Sequence, residues 1–193
     1  MENAREIFLE LQDTQWPFTY TDHDREIVRA VVVDEDGLFC FARIRRDDAF
    51  GKATLIETSG GGVEKGETLT DALRRELREE LGADVEILCS IGVVSDYYNL
   101  IHRHNINHYF LCRARFFGKQ KLTPEEKADF HLTMQKLPFE AAVREYTLRA
   151  NTPLGKLIAA RELPILLRAG ELLGLSGTVA AEGESSSARR TKL

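Results

Sequence analysis

Apolar positions along this chain switch between two spacings, and the switches mark its elements. Leu69, Leu73, Leu77 and Leu81 recur every four residues, which sets one apolar stripe on a helix over residues 68–81. Thr68 suits its N-cap, Asp71 stands three residues on in a capping-box-like position, and Gly82 suits its stop. Upstream, IVRAVVVD and LFCFARI flank Glu35-Asp36-Gly37, so residues 26–44 read as a β-hairpin about an Asp-Gly turn. Alternation puts Arg43 and Arg45 on one face of its second strand. Residues 52–57, 85–94, 107–117 and 132–137 read as further strands, separated by a polar segment at 95–105 and a charged loop at 119–129. Pro138 suits the first turn of a helix through PFEAAVREY, and residues 151–175 read as helical, with Asn151 or Thr152 as cap and Pro164 as a kink or break. A short amphipathic helix is expected over residues 2–12, with Ile7, Phe8 and Leu11 on one side. Residues 176–193 are small, polar and aperiodic, and are expected to be disordered. The expected division is an N-terminal extension at 1–25, one domain at 26–175 and that tail; no internal repeat is visible. One helix among mixed strands, then helices at the end, argues an α/β domain whose sheet is covered on both faces.

A chain of 193 residues, 43% hydrophobic and 30% charged, is long enough for one soluble domain with a sizeable core. Its formal charge of −5 argues against general nucleic-acid binding, which leans on a basic footprint. No run approaches a membrane span, and MENAREIFLELQ lacks the long apolar core of a secretory signal, so the expected location is cytoplasmic and no membrane partner is expected. Cys40, Cys89 and Cys112 are odd in number, widely spaced and in strand-like apolar contexts, which reads as three buried reduced thiols.

Chemistry concentrates around the first helix. Glu76, Glu79 and Glu80 stand at i, i+3 and i+4 and so share one patch. Three carboxylates there repel one another. Arg75 and Arg78 neutralise part of that charge, and a divalent cation with a preference for hard oxygens would neutralise more. Immediately before the helix, Gly60-Gly61-Gly62 lets backbone approach a ligand and frees main-chain groups to face a metal or a phosphate. The glycines lead into a helix N-terminus, which favours anions. A metal-bound polyphosphate uses all three features. A solvated helix face laced with Glu–Arg pairs is the alternative for RRELREE taken alone.

Gly61, Glu67, Arg75, Glu76, Leu77, Glu79, Glu80 and Gly82 together match G-x5-E-x7-R-E-U-x-E-E-x-G-U, with U aliphatic. This resembles the signature box of the Nudix hydrolases. The resemblance implies an α/β/α sandwich with a mixed central sheet. It also implies a hydrolase dependent on Mg2+ or Mn2+ that cleaves a nucleoside diphosphate linked to another moiety. By it, Glu76, Glu79, Glu80 and the Gly61 carbonyl are the metal ligands, Glu76 orients or deprotonates the attacking water, Arg75 positions Glu76, and Glu67 braces the loop. A distal acid often joins the box, for which Glu126 is slightly preferred over Glu125 and Asp129, with an acidic solvent loop as the alternative. Substrate contacts are expected from Gly60 and Gly62, from Tyr97 through base stacking unless it is a partly buried loop aromatic, and from Arg43 and Arg45 unless these are a solvated strand end.

Ala83 and Ser59 depart from the usual aliphatic and proline of the box region. Residues 57–61 look like the pre-box segment of ADP-ribose pyrophosphatases, whereas Tyr97-Tyr98-Asn99 looks more like diadenosine polyphosphate hydrolases, so the substrate stays open. His102, His104 and His108 suggest a metal site, with substrate or solvent contact as the alternative. Two rival readings are a non-hydrolysing nucleotide sensor and an isopentenyl diphosphate isomerase-like enzyme. The expected partner is a small nucleotide-type molecule. Dimers are common in the family, and no residue here compels one.

Overall fold

A computed structural model describes residues 5–175. The helix expected from the leucine stripe is α1, Leu69–Glu80, capped by Thr68, whose hydroxyl accepts from the Asp71 amide. Leu73 and Leu77 are fully buried, and each contributes about 1.5–3 kcal/mol of hydrophobic transfer. They meet Val28, Ala30 and Val32, alternate residues of the long strand β2, His23–Val33. The intervening Val31 faces the opposite way, against the C-terminal helices α3, Phe139–Arg149, and α4, Pro153–Leu172. One strand thus feeds two cores, and the architecture is an α/β/α sandwich.

The sheet is mixed. β1 (Ile7–Leu11), β6 (Ala83–Tyr98), β7 (Arg103–Phe117), β2, β3 (Phe39–Asp48) and β4 (Gly51–Glu57) lie in that order, β1 and β2 running parallel to β6 and β7 respectively. The expected hairpin forms, its turn held by Asp34 Oδ1 accepting from the amides of Asp36 and Leu38. Only Val32 and Val33 pair with β3, at Cys40 and Phe39. Beyond them β3 diverges, and the short strand β5, Ser59–Gly62, takes its place beside β2. The glycines expected in a loop are therefore laddered, and that split sets the position of the site. β8, Thr133–Leu137, completes the sheet against β3, and a short helix α2, Pro124–Ala128, lies in the stretch expected to be a charged loop.

Four further expectations need correction. Residues 7–11 form the edge strand β1 rather than a helix; Ile7, Leu9 and Leu11 alternate inward, and the chain lies so close to Gly92 that a Cβ there would fall 1.9 Å from the Ile7 carbonyl oxygen. The polar segment 95–105 is mostly strand, broken only by a turn at Asn99–Ile101, because Asp96, Asn105 and Asn107 are buried and partnered across the sheet. Cys89 is exposed, while Cys40 and Cys112 are buried as expected. Helix α4 runs on through Pro164 without a break. The tail expected at 176–193 lies outside the described residues.

Candidate active site

Arg75 organises the acidic face of α1. Its guanidinium donates to both carboxylate oxygens of Glu67 at 3.0 and 2.9 Å, to Glu76 Oε1 at 2.6 Å and to the Gly62 carbonyl at 2.9 Å, and it reaches Glu79 at 3.5 Å. A planar fork with five donors can hold four groups at once; a lysine could not. The result ties the loop (Glu67), the helix (Glu76) and the glycine strand (Gly62) into one unit, and Arg75 in turn holds the Glu67 carboxyl below its ordinary range.

Two of the acids are buried. Glu80 accepts the Gly60 amide at 2.9 Å, yet its pKa is pushed up to about 8, first by burial and then by the charges of Glu76 and Glu126. Glu76 is raised as well, again by burial first, with Glu79 and Glu126 adding to it against the pull of Arg75. Gly61 explains how Glu76 is seated: a Cβ at that position would lie 2.5 Å from its carboxyl carbon. Backbone and carboxylate touch where any other residue would intervene.

Glu126 comes from a distant part of the chain. The C-terminal carbonyls of α1 need partners, and the segment after β7 supplies them. Gly118 donates to Gly82, Lys121 to Glu79, and the Gln120 side chain to Glu80. That strap carries α2 alongside the acids, with Glu126 fixed by a reciprocal cap with Thr123. Asp129 instead lines a separate surface hollow with His131.

The donor set suits a hard divalent cation: oxygen ligands only, crowded, and charged against their environment. As the side chains stand, Arg75 lies between Glu76 and Glu79, and among the described residues no three acids, histidines or cysteines are grouped closely enough to hold an ion. Ligation therefore requires Glu76 and Glu79 to turn from Arg75.

Across the β2–β5 ladder lies a cavity of about 120 Å3, lined by Arg25, Arg29, Arg46, Arg103 and Arg161 together with Glu57, Phe50 and Tyr98. Its floor is a buried ionic network. Arg161, fully enclosed in α4, donates to Glu57 at 2.7 Å, Glu162 at 3.0 Å, Asp96 at 3.3 Å and the Tyr98 hydroxyl at 2.9 Å. Arg29 shares Glu57 and Glu162 at 3.7 and 3.8 Å. Burial alone would raise the Glu57 carboxyl, but Arg161, Arg29 and Arg46 hold it below its ordinary value.

None of the residues expected to contact substrate lines this cavity. Arg43 and Arg45 are exposed and do not line this cavity; Arg46 does. Tyr97 stacks on His104 at 4.3 Å, on the opposite face from Tyr98, because 95–98 is strand and neighbours alternate. The backbones of Gly60 and Gly62 are engaged by Glu80 and Arg75. The histidines form no common site: His102 stacks on Tyr20, His108 lies 3.6 Å from Glu26, and His104 bridges Ser95 at 2.8 Å and Asp24 at 2.7 Å. That last arrangement has the order of a Ser-His-Asp relay. However, Ser95 sits within β6 between β1 and β7, so the ladders on both sides use the backbone amides an oxyanion would need. It is a cross-strand tie. Arg29, Arg161, Glu57 and Glu162 were not anticipated; the available signals were an arginine inside the apolar run of β2 and an Arg-Glu pair inside an apolar helix.

Among the described residues no helix is long and apolar enough to cross a membrane. Comparison with known proteins places these features. Two curated relatives named nucleoside triphosphatase NudI match short stretches. The Enterobacter sp. (strain 638) protein is 69% identical over 29 residues, 15% of this chain and 21% of that protein. The Escherichia fergusonii protein is 45% identical over 53 residues, 26% of this chain and 36% of that protein. The match thus spans roughly a fifth to a third of those relatives. A solved NUDIX hydrolase from Nitrosomonas europaea superposes with a TM-score of 0.59 at 16% identity, over 77% of this chain and 90% of that one, which is a likeness of fold. The NUDIX domain model matches residues 23–151, a span that holds the acidic helix, the glycine strand and most of the cavity wall. With that match over more than half its length, the chain belongs to the NUDIX domain family.

Proposed function

We propose that this protein hydrolyses a phosphoanhydride bond in a nucleoside diphosphate derivative, using Mg2+ or Mn2+ held by Glu76, Glu79, Glu80 and the Gly61 carbonyl, with Glu126 as a further acid. The observation that carries this reading is the pair of buried carboxyls, Glu76 and Glu80, packed on glycine backbone and raised first by burial, then by neighbouring carboxylates: Glu79 and Glu126 for Glu76, Glu76 and Glu126 for Glu80. Arg75 offsets the charge of Glu76 only in part, Glu80 has no ion pair among the described residues, and a purely structural helix face would not bury a pair so incompletely compensated. When bound, the ion neutralises phosphoryl oxygens and acidifies water. The protein's own part is positional. Arg75, braced by Glu67, keeps Glu76 seated against the glycine strand until it turns to the ion, and Glu76, more basic than an ordinary carboxylate, is suited to accept a proton from the attacking water at an oxygen left free of the ion.

The short likeness to proteins named nucleoside triphosphatase supports testing nucleoside triphosphates first, then dinucleoside polyphosphates, sugar nucleotides and ADP-ribose. Purified wild type is expected to release a phosphorylated product from at least one of these with Mg2+ or Mn2+, and Glu76→Gln to lose at least ~100-fold in kcat. Full turnover by folded Glu76→Gln, or tight nucleotide binding with no product under either metal, would replace this reading with a binding module.

A further inference from the structure

We propose that the arginine-lined cavity between β2, β3 and α4 is a second anion subsite, which takes a phosphate of the substrate other than those of the scissile diphosphate; this rests on the hydrolase reading above. Five guanidiniums line the cavity in a chain whose formal charge is −5. The inner two, Arg29 and Arg161, are matched by the network acids Glu57, Asp96 and Glu162. The outer three are Arg25, Arg46 and Arg103. Arg46 meets Asp48 and lies over the Phe50 ring at 5.1 Å, and Arg103 has no ion-pair partner among the described residues. Guanidinium forks match phosphate oxygens two at a time, which makes this the residue type expected at such a site.

Size selects the ligand. Small-molecule pockets generally run to about 300–1,000 Å3. A cavity of about 120 Å3 takes a phosphate with a few waters rather than a nucleobase with its sugar. Asn105 adds an independent sign that the cavity is built for a ligand. It lines the wall, is only 3% exposed, and its Oδ1 has no hydrogen-bond partner. A buried acceptor left unpaired is costly, and a hydroxyl borne beside the phosphate would satisfy it. The two sites adjoin. A Cβ on Gly62 would sit 3.1 Å from Arg25 Nη2, while the Gly62 carbonyl is held by Arg75 on the acidic side. One glycine therefore separates the diphosphate site from the second anion site, so a single substrate reaches both.

The first test uses inorganic phosphate as probe, titrated calorimetrically in EDTA, so that it reads the cavity without metal or turnover. Wild type is expected to bind phosphate. Arg46→Gln and Arg103→Gln, both lining the cavity, are each expected to weaken it at least ~10-fold without changing the urea midpoint of a folded protein, while Arg115→Gln on the remote surface leaves it unchanged. Equal affinity in the rim variants, or no binding by wild type, overturns the proposal even if hydrolysis is confirmed. The second test compares KM for a nucleoside triphosphate against the matching diphosphate, and for a dinucleotide with and without a ribose phosphate. A rise in Arg103→Gln confined to the first comparison assigns the group to the phosphate chain, and one confined to the second assigns it to the ribose. An equal rise for substrates with and without the extra phosphate overturns the subsite.

Discussion

Replacing Glu80 by glutamine isolates the electrostatic cost of the acidic face. The Glu80 carboxyl has an ordinary pKa of 4.5 and is pushed up to about 8 in the fold, chiefly by burial. A carboxyl raised on folding keeps its proton in the folded state while the unfolded chain releases it. Stability is therefore intact below pH 4.5, declines as pH rises, and levels off above about 8. At 1.36 kcal/mol per pH unit, the gap between 4.5 and about 8 corresponds to a loss on the order of 5 kcal/mol. Glutamine removes the titration but keeps an oxygen to accept the Gly60 amide. In EDTA, urea melts from pH 5 to 9 should show wild type losing stability relative to Glu80→Gln as pH rises, with the variant ahead by several kcal/mol at pH 8.5. Mn2+ should reverse the order, because only the wild type gains an oxyanion for the ion, and binding to the folded state stabilises by mass action. Parallel pH profiles for the two proteins in EDTA would refute the reasoning, since Glu80 would then ionise in the fold as freely as in water.

Gly61→Ala should leave the sheet intact but displace the Glu76 carboxyl, because the new Cβ meets a side-chain end rather than backbone; turnover should fall at least ~100-fold with little change in the urea midpoint, and normal kinetics would count against the seating of Glu76. Arg161→Met should cost about 3–5 kcal/mol, since Glu57, Asp96 and Glu162 lose their shared partner, and denaturant unfolding would show whether it does. Leu77→Ala, at a position with no solvent exposure, should destabilise by about 2–5 kcal/mol in the same assay while leaving KM unchanged. Removing divalent cations should abolish turnover, and restoring Mg2+ or Mn2+ should recover it in wild type but not in Glu80→Gln.

Legibility in the sequence followed the range of the interactions. Helix α1, its cap at Thr68 and its leucine stripe depend on residues within four positions of one another, and local spacing was enough. The hairpin turn at Asp34 is local too. β1 escaped because Ile7, Phe8 and Leu11 suit a helix face as well as a strand; pairing with β6, nearly ninety residues away at Gly92, decides it. The strands across 95–105 escaped because their polar side chains imitate a loop, and only the buried Arg161 makes sense of them. The same gap left Tyr98 and Arg46, which line the cavity, out of a reading that singled out Tyr97, Arg43 and Arg45. In the acidic box, by contrast, offsets within four positions put Glu76, Glu79 and Glu80 on one helix, whereas the approach of Glu126 depends on the strap after β7, which no local spacing reveals.

The most direct measurement is anomalous diffraction from crystals soaked in Mn2+. Density is expected in the angle between the Gly61 carbonyl and the carboxylates of Glu76, Glu79 and Glu80, with the first two acids of that set turned away from Arg75 and metal–oxygen distances of roughly 2.0–2.3 Å. Manganese bound only elsewhere on the surface, with Arg75 still clasping Glu76 in crystals of a protein that turns over substrate with the same ion, would contradict the assignment of this face as the metal centre.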